Sequence, residues 1–252
     1  MSVAAIGSFS RRGGALVGAG LALFGAASGC SGVKHTNANL IEGKQAFVAK
    51  CGACHTLARA NTKGVVGPNL DEAFRYDVAE GLRRSAIRSV VEGQVENPNR
   101  YGVMPSGLAE GATLNNIAAY VAEAVARPGT DSGLLASAVK APGAGKPAVE
   151  TGGKLEIPAD PTGQLAYAAN KASASAGSVS ILMPNMSGVS HNIAIEAGAH
   201  EATGAGPVIA ASSFVTKGTT SIKVTLKPGT YTFFCQAPGH RAAGMFGTIT
   251  VK

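Results

Sequence analysis

Apolar residues recur at helical spacing up to about residue 127 and alternate strictly from about residue 154, while the stretch between is made largely of Pro, Gly, Ala, Ser and Lys. A helix stripe and a strand face repeat differently, so the chain must build two separate cores. Before the break, Leu40, Ile41, Ala46, Phe47 and Val48 are spaced for a short amphipathic helix. Leu82, Ala86, Ile87, Val90 and Val91 form one face of a second helix over 78–92. A third starts after Thr113, a good cap, and carries Leu114, Ile117, Tyr120, Val121 and Val125 along one stripe. After the break the alternating sets are Val179 and Ile181; Ile193 and Ile195; Ile222, Val224 and Leu226; Ile249 and Val251. Lys227, Pro228 and Gly229 turn the chain between two of these runs. The expected fold is multidomain: an all-α domain over 31–127, a flexible linker over 128–153 and an all-β Greek-key sandwich over 154–252.

Of the 252 residues, 45% are hydrophobic and 15% charged, which allows two real cores and excludes wholesale disorder or a coiled coil. The formal charge of +7 is spread without a run of Lys and Arg, and eight Phe, five Tyr and no Trp leave little to stack on bases. Nucleic acid is excluded as the expected partner.

Residues 1–30 read as an export signal, because Arg11 and Arg12 precede an apolar stretch over 13–29 that is short for a permanent span. Ser10, Arg11 and Arg12 resemble the start of a twin-arginine signal, with Gly14 where that motif has a bulky apolar residue, so Sec and twin-arginine export both stay open. Ala27, Ser28, Gly29 and Cys30 resemble a bacterial lipoprotein cleavage box, with Ala27 in place of the usual Leu. That resemblance implies acylation of Cys30, the alternative being ordinary cleavage near Ser28. The other three Cys each fall in a motif that uses the thiol, so no pair remains for a disulfide. An exported free thiol at Cys30 would be a liability unless acylated.

Cys51, Gly52, Ala53, Cys54 and His55 have the C-x-x-C-H order of c-type haem attachment, in which two thiols form thioethers and the adjacent imidazole is held beneath the iron. The competing reading, a redox dithiol of the thioredoxin kind, wants a βαβ context that this stretch does not offer. Residues 39–127 resemble class I cytochromes c on Gly43 and Phe47 of the first helix, on Gly67, Pro68, Asn69 and Leu70 after the haem box, and on Tyr120 of the last helix. The resemblance implies Met104, 49 residues beyond His55 and followed by Pro105, as second axial ligand. It also implies that the Pro68 carbonyl accepts the ring proton of His55. A thioether is soft and neutral and favours reduced iron; the alternative is that Met104 only fills the core.

His191, Cys235, His240 and Met245 make the second constellation. His191 shares a strand face with Ile193 and Ile195, and Cys235 with Tyr231 and Phe233, so both point into an apolar interior. A loop containing Gly and Pro then brings a second His and a Met. Two imidazoles, one thiolate and a weak axial thioether are the donors of a blue copper centre, which accepts both copper oxidation states with little rearrangement. A zinc site or a metal-free sandwich is the competing reading. Ala159, Asp160, Gly163 and Leu165, then residues 185–196 and 227–251, resemble cupredoxins of the plastocyanin, azurin and sulfocyanin kind. The Cys-x4-His-x4-Met spacing is nearest the sulfocyanin-like members. The resemblance implies that the Asn192 side chain hydrogen-bonds the ligand loop and restrains the thiolate. Met183 and Met186 read as packing residues.

One haem c and one type 1 copper imply an electron carrier rather than an enzyme, because neither centre offers an open position. The expected partners are redox proteins, a quinol-oxidising complex and a terminal oxidase or reductase. The expected location is the outer face of the cytoplasmic membrane or the periplasm, with a lipid anchor. Ala237, Pro238, Gly239, Ala242 and Ala243 around His240 form the expected docking port for partners. Two rivals remain. A donor module of a copper nitrite reductase would need more histidines than His35 and His200 supply for a second copper, and a copper-handling protein would want exposed Cys or Met clusters.

Overall fold

The computed structural model describes residues 37–200, 204 and 206–252, and the expected export signal with Cys30 lies outside them. Helix α1 (Leu40–Lys50) is started by Asn39, whose side chain accepts from the amides of Ile41 and Glu42. After the turn at 51–55, β1 (Thr56–Leu57) pairs with β2 (Thr62–Lys63) across a 3-10 turn. Helices α2 (Leu70–Ala79), α3 (Arg84–Glu96) and α4 (Gly111–Ala124) follow. The single helix expected over 78–92 is therefore replaced by two, because Gly81 at φ +88 ends α2: its amide bonds Val78 and the next amide, of Leu82, bonds Asp77. Thr113 is not a cap, since α4 already begins at Gly111.

Phe47, Ile87, Leu114, Ile117, Tyr120 and Val121 build the helical core. There α1 crosses α4 at Gly43, where a Cβ would run into the Asn116 carbonyl oxygen, so a side chain at 43 would push the helices apart. One turn further on, Phe47 packs on Tyr120 with ring centroids 6.3 Å apart.

The segment 128–153 is not the flexible linker that its composition suggests. Polar groups fix it where apolar ones are missing. Asp131 is buried against Lys44 (3.0 Å), Arg59 (2.8 Å) and the Tyr120 hydroxyl (2.9 Å). Lys44 and Gln45 also donate to the carbonyls of Leu135 and Ala138, holding the short helix α5 (Gly133–Ser137) on α1. Further on, the Gly145 amide donates to Ala168, and β3 (Ala148–Val149) pairs in parallel with residues 172–173.

The second half is a sandwich of β4 (Lys154–Glu156), β5 (Lys171–Ala174), β6 (Gly177–Asn185), β7 (Ala194–Ala197), β8 (Val208–Ala211), β9 (Gly218–Leu226), β10 (Gly229–Phe234) and β11 (Phe246–Val251), with a short helix α6 (His240–Ala243) before the last strand. One sheet runs β3-β5-β11-β10-β7-β8 and the other β4-β6-β9. The turn at 227–229 carries the chain from one sheet to the other, and the Tyr231 hydroxyl closes it by accepting from the Lys227 amide at 3.0 Å. Between the sheets lie Leu155, Ile157, Val179, Ile181 and Met183 from one side and Ile195, Phe233, Cys235, Ile249 and Val251 from the other. The helical half and the sandwich form one compact unit. They meet where glycine leaves room: a Cβ on Gly163 would be 2.5 Å from the Ala49 carbonyl oxygen, and one on Gly239 would be 2.9 Å from Val65 Cγ2.

Candidate metal centres

In the helical half, Cys51 caps the C-terminal end of α1, and its thiol is pushed up to about 12, chiefly by burial, with Lys50 opposing. A redox dithiol needs the reverse, a thiol depressed at a helix N-terminus. The amides of Cys54 and His55 both donate to the Cys51 carbonyl, at 3.0 and 2.9 Å, which folds the five-residue stretch into one tight turn. His55 Nδ1 donates to the Pro68 carbonyl at 2.9 Å and thereby leaves Nε2 as the donor atom toward a metal. Gly67 lies flat on the ring, since a Cβ there would stand 2.5 Å from His55 Cε1. Met104 is half-buried against the helical core, with Gln94 Nε2 at 3.9 Å from its sulfur.

In the sandwich, Cys235 follows β10 and His240 opens α6, while His191 precedes β7 by three residues. His191 Nδ1 and His240 Nδ1 are 3.1 Å apart, and the Cys235 sulfur is 3.9 Å from the first and 3.5 Å from the second. Three donors ringed about 2.0–2.3 Å from one ion would form a triangle of nearly this size. Burial, with His240 adding, pulls His191 down to about 4, and burial lowers His240 as well, so both imidazoles are neutral and present lone pairs. Burial raises the Cys235 thiol against the amides of Asn192 and Ala237, so a thiolate at this depth needs a cation beside it. Met245 is fully buried where the loop ends, its carbonyl accepting from the Cys235 amide at 3.1 Å and its amide donating to His240 at 2.9 Å. The loop turns its corners at Gly239 (φ +79) and Gly244 (φ +116). Residues 155–252 also match the plastocyanin/azurin family of copper binding proteins.

These residues are a cupredoxin domain. It is of the blue copper, electron-transfer kind. Similar solved structures include dithionite-reduced auracyanin from the photosynthetic bacterium Roseiflexus castenholzii, at 30% identity over 41% of this chain and 99% of that chain, with a TM-score of 0.36. Auracyanin A, a blue copper protein from the green thermophilic photosynthetic bacterium Chloroflexus aurantiacus, is 27% identical over 39% of this chain and 98% of its own, with a TM-score of 0.33. Reduced rusticyanin is 25% identical over 41% of this chain and 83% of its own, at 0.34.

Strand alternation does not seat His191 in the cupredoxin domain. β7 begins only at Ala194, all of residues 191–196 are buried, and the loop at 212–215 pairs alongside the start of this stretch. His191 and Val215 exchange backbone hydrogen bonds of 3.0 and 2.9 Å there. Asn192 ties the two ligand segments together: its Oδ1 accepts from the Gln236 amide at 2.8 Å, and its Nδ2 donates to Gln236 Oε1 at 2.8 Å and to the Ser212 carbonyl at 3.1 Å. The buried Tyr167 donates its hydroxyl to the Asn192 carbonyl at 2.7 Å and stands edge-on to Phe233. Of the two methionines expected as packing residues, Met183 is fully buried but Met186 is 64% exposed.

Two residues with no signal in the sequence complete the surroundings. Glu196 is buried and accepts from Arg241, the neighbour of His240, at 2.6 Å, and from the Gly206 amide. Arg241 also donates to the His200 carbonyl and stacks its guanidinium 4.1 Å above the Phe234 ring. Only spatial contact relates Glu196 to Arg241, 45 residues apart.

Proposed function

We propose that the chain is an exported electron carrier with two one-electron centres, a type 1 copper in the cupredoxin domain and one c-type haem on Cys51, Cys54 and His55. The observation that carries the second centre is the hydrogen bond of His55 to the Pro68 carbonyl, with Gly67 pressed on the ring, since it sets tautomer and orientation for a metal at Nε2. The other residues fit the group: Cys51 and Cys54 are unpaired thiols at the right spacing, Met104 is a soft donor half in the core, and Val66, Tyr101 and Val103 are apolar side chains exposed on the flanking loops. When bound, haem and copper each supply a one-electron couple between redox proteins. The chain's own work is to keep the donors still. Pro68 and Gly67 fix His55, while Asn192, Gln236 and the closure of Met245 on Cys235 and His240 hold the copper loop in one shape for both oxidation states.

The physiological setting we propose is the outer face of the cytoplasmic membrane, with Cys30 acylated and with a quinol-oxidising complex and a terminal oxidase or reductase as donor and acceptor. Cys30→Ala would then move the exported protein from the membrane fraction to the soluble one. The deciding experiment is a redox titration of the purified chain with both chromophores followed optically. Two one-electron steps, one in the haem bands and one in the blue band, support the carrier; copper without covalent haem overturns the two-centre reading.

A further inference from the structure

We propose that Val65 is an internal electron port that touches Gly239 beside the copper ligand His240, so that one edge of the surface expected to receive outside partners meets the chain's own helical half. The proposal rests on the two-centre reading above. Gly239 immediately precedes His240, and its absent Cβ would stand 2.9 Å from Val65 Cγ2, which places a Val65 methyl against the backbone of the ligand loop. Val65 is in turn two residues from Gly67, whose backbone lies on the His55 ring. The contacts therefore run from His55 through 67–65 to 239 and His240 with no charged side chain among them. A second contact keeps the seam in register: Gly163 lies on the backbone of Ala49, two residues before Cys51. The segment 128–153 removes the remaining freedom, because Asp131 ties it to Lys44 and Arg59 while Gly145 and β3 tie it to the sandwich.

A contact held in this way makes exchange between the centres a first-order event within one molecule, where a flexible tether would make it a search. One electron moves and no atom does: iron(II) with copper(II) becomes iron(III) with copper(I), or the reverse, and a one-electron reductant supplies each electron that enters. Val65 touches Gly239 with one methyl and is 70% exposed with that contact in place, so it can be changed without disturbing the helical core.

The test uses the fully loaded chain and a flash of photoreduced flavin, with the redistribution between the centres followed in both visible spectra. The parent should redistribute at a rate independent of protein concentration. Val65→Ala, which removes the methyl that touches Gly239 and opens a gap there, should slow it by about tenfold, and Val65→Ile should keep it. A parent rate that scales with protein concentration, or a Val65→Ala protein as fast as the parent, overturns the port. A second readout needs no haem. With copper replaced by cobalt(II) or by zinc(II), and any haem kept reduced, the Val65 methyl resonances should differ between the two metals because of the paramagnetic ion. Identical resonances overturn the contact even in a protein with haem attached, whereas shifted resonances in a chain without covalent haem overturn the two-centre reading alone.

Discussion

Arg241 and Glu196 form an ion pair of 2.6 Å in which the carboxylate is buried, and it fastens the loop carrying His240 to β7. Removing Arg241 takes a charge-assisted hydrogen bond from a buried carboxylate and unties the loop from the strand. Arg241→Leu should therefore destabilise the copper-loaded protein by about 2 kcal/mol, read from the midpoint of urea unfolding. The double variant Arg241→Leu with Glu196→Gln should recover part of the loss. Equal midpoints for the parent and Arg241→Leu would show that the clamp holds nothing.

Asp131 gives the fold an acid-sensitive latch. Burial opposes its ionisation, but hydrogen bonds from Lys44, Arg59 and Tyr120 outweigh burial and hold the carboxyl below its usual range. A carboxyl depressed by folding stabilises fully above its unfolded value of about 3.9, and the contribution is lost as pH falls through the lower folded value. Asp131→Asn should cost about 3 kcal/mol at neutral pH, leaving Lys44 buried beside a neutral group. The gap between parent and variant should narrow below about pH 4 in urea titrations repeated across pH. A gap of constant size would assign the loss to packing instead.

The copper ligands are legible in the sequence because three of the four lie in one loop at fixed spacing, Cys235, His240 and Met245, where local sequence alone carries the pattern. Alternation gives only an incomplete reason for His191: Asn192 and Ala194 are as buried as Ile193 and Ile195, so packing on both faces puts the imidazole inside. Composition misjudges the segment 128–153 because it counts large apolar residues, whereas the order comes from Asp131 meeting Lys44 and Arg59, residues 72 to 87 positions away along the chain. Helix α2 is hard to read for a related reason. Leu70, Phe74 and Val78 do recur along one face, but none of its residues is fully buried, and Asp71, Glu72, Arg75 and Asp77 dilute the stripe.

Met104 can be separated from a packing role by its chemistry. If its sulfur is the sixth donor, Met104→Ala leaves Cys51 and Cys54 to attach haem but opens a coordination position. The reduced variant should bind carbon monoxide, with the spectral change that ligation brings, and the reduced parent should not. Equal binding by both proteins would return Met104 to the core.

The copper site makes the sharpest distinction between a carrier and a sandwich that merely binds metal. Cys235 supplies the one thiolate among the three converging donors, and the visible colour of blue copper is charge transfer from that thiolate to copper(II). Cys235→Ser should abolish the colour and the fast one-electron exchange, even if His191 and His240 retain some copper. If the buried Met245 thioether is a weak donor to the copper, Met245→Leu should act differently, because its loss disfavours copper(II): the blue band stays and the copper potential rises, as optical titration would read. On the two-centre reading, covalent haem content would serve as the internal control for both variants, since Cys51 and Cys54 lie in the other half of the chain. A Cys235→Ser protein that stays blue would remove Cys235 from the ligand set and, with it, the electron-transfer mechanism of the sandwich.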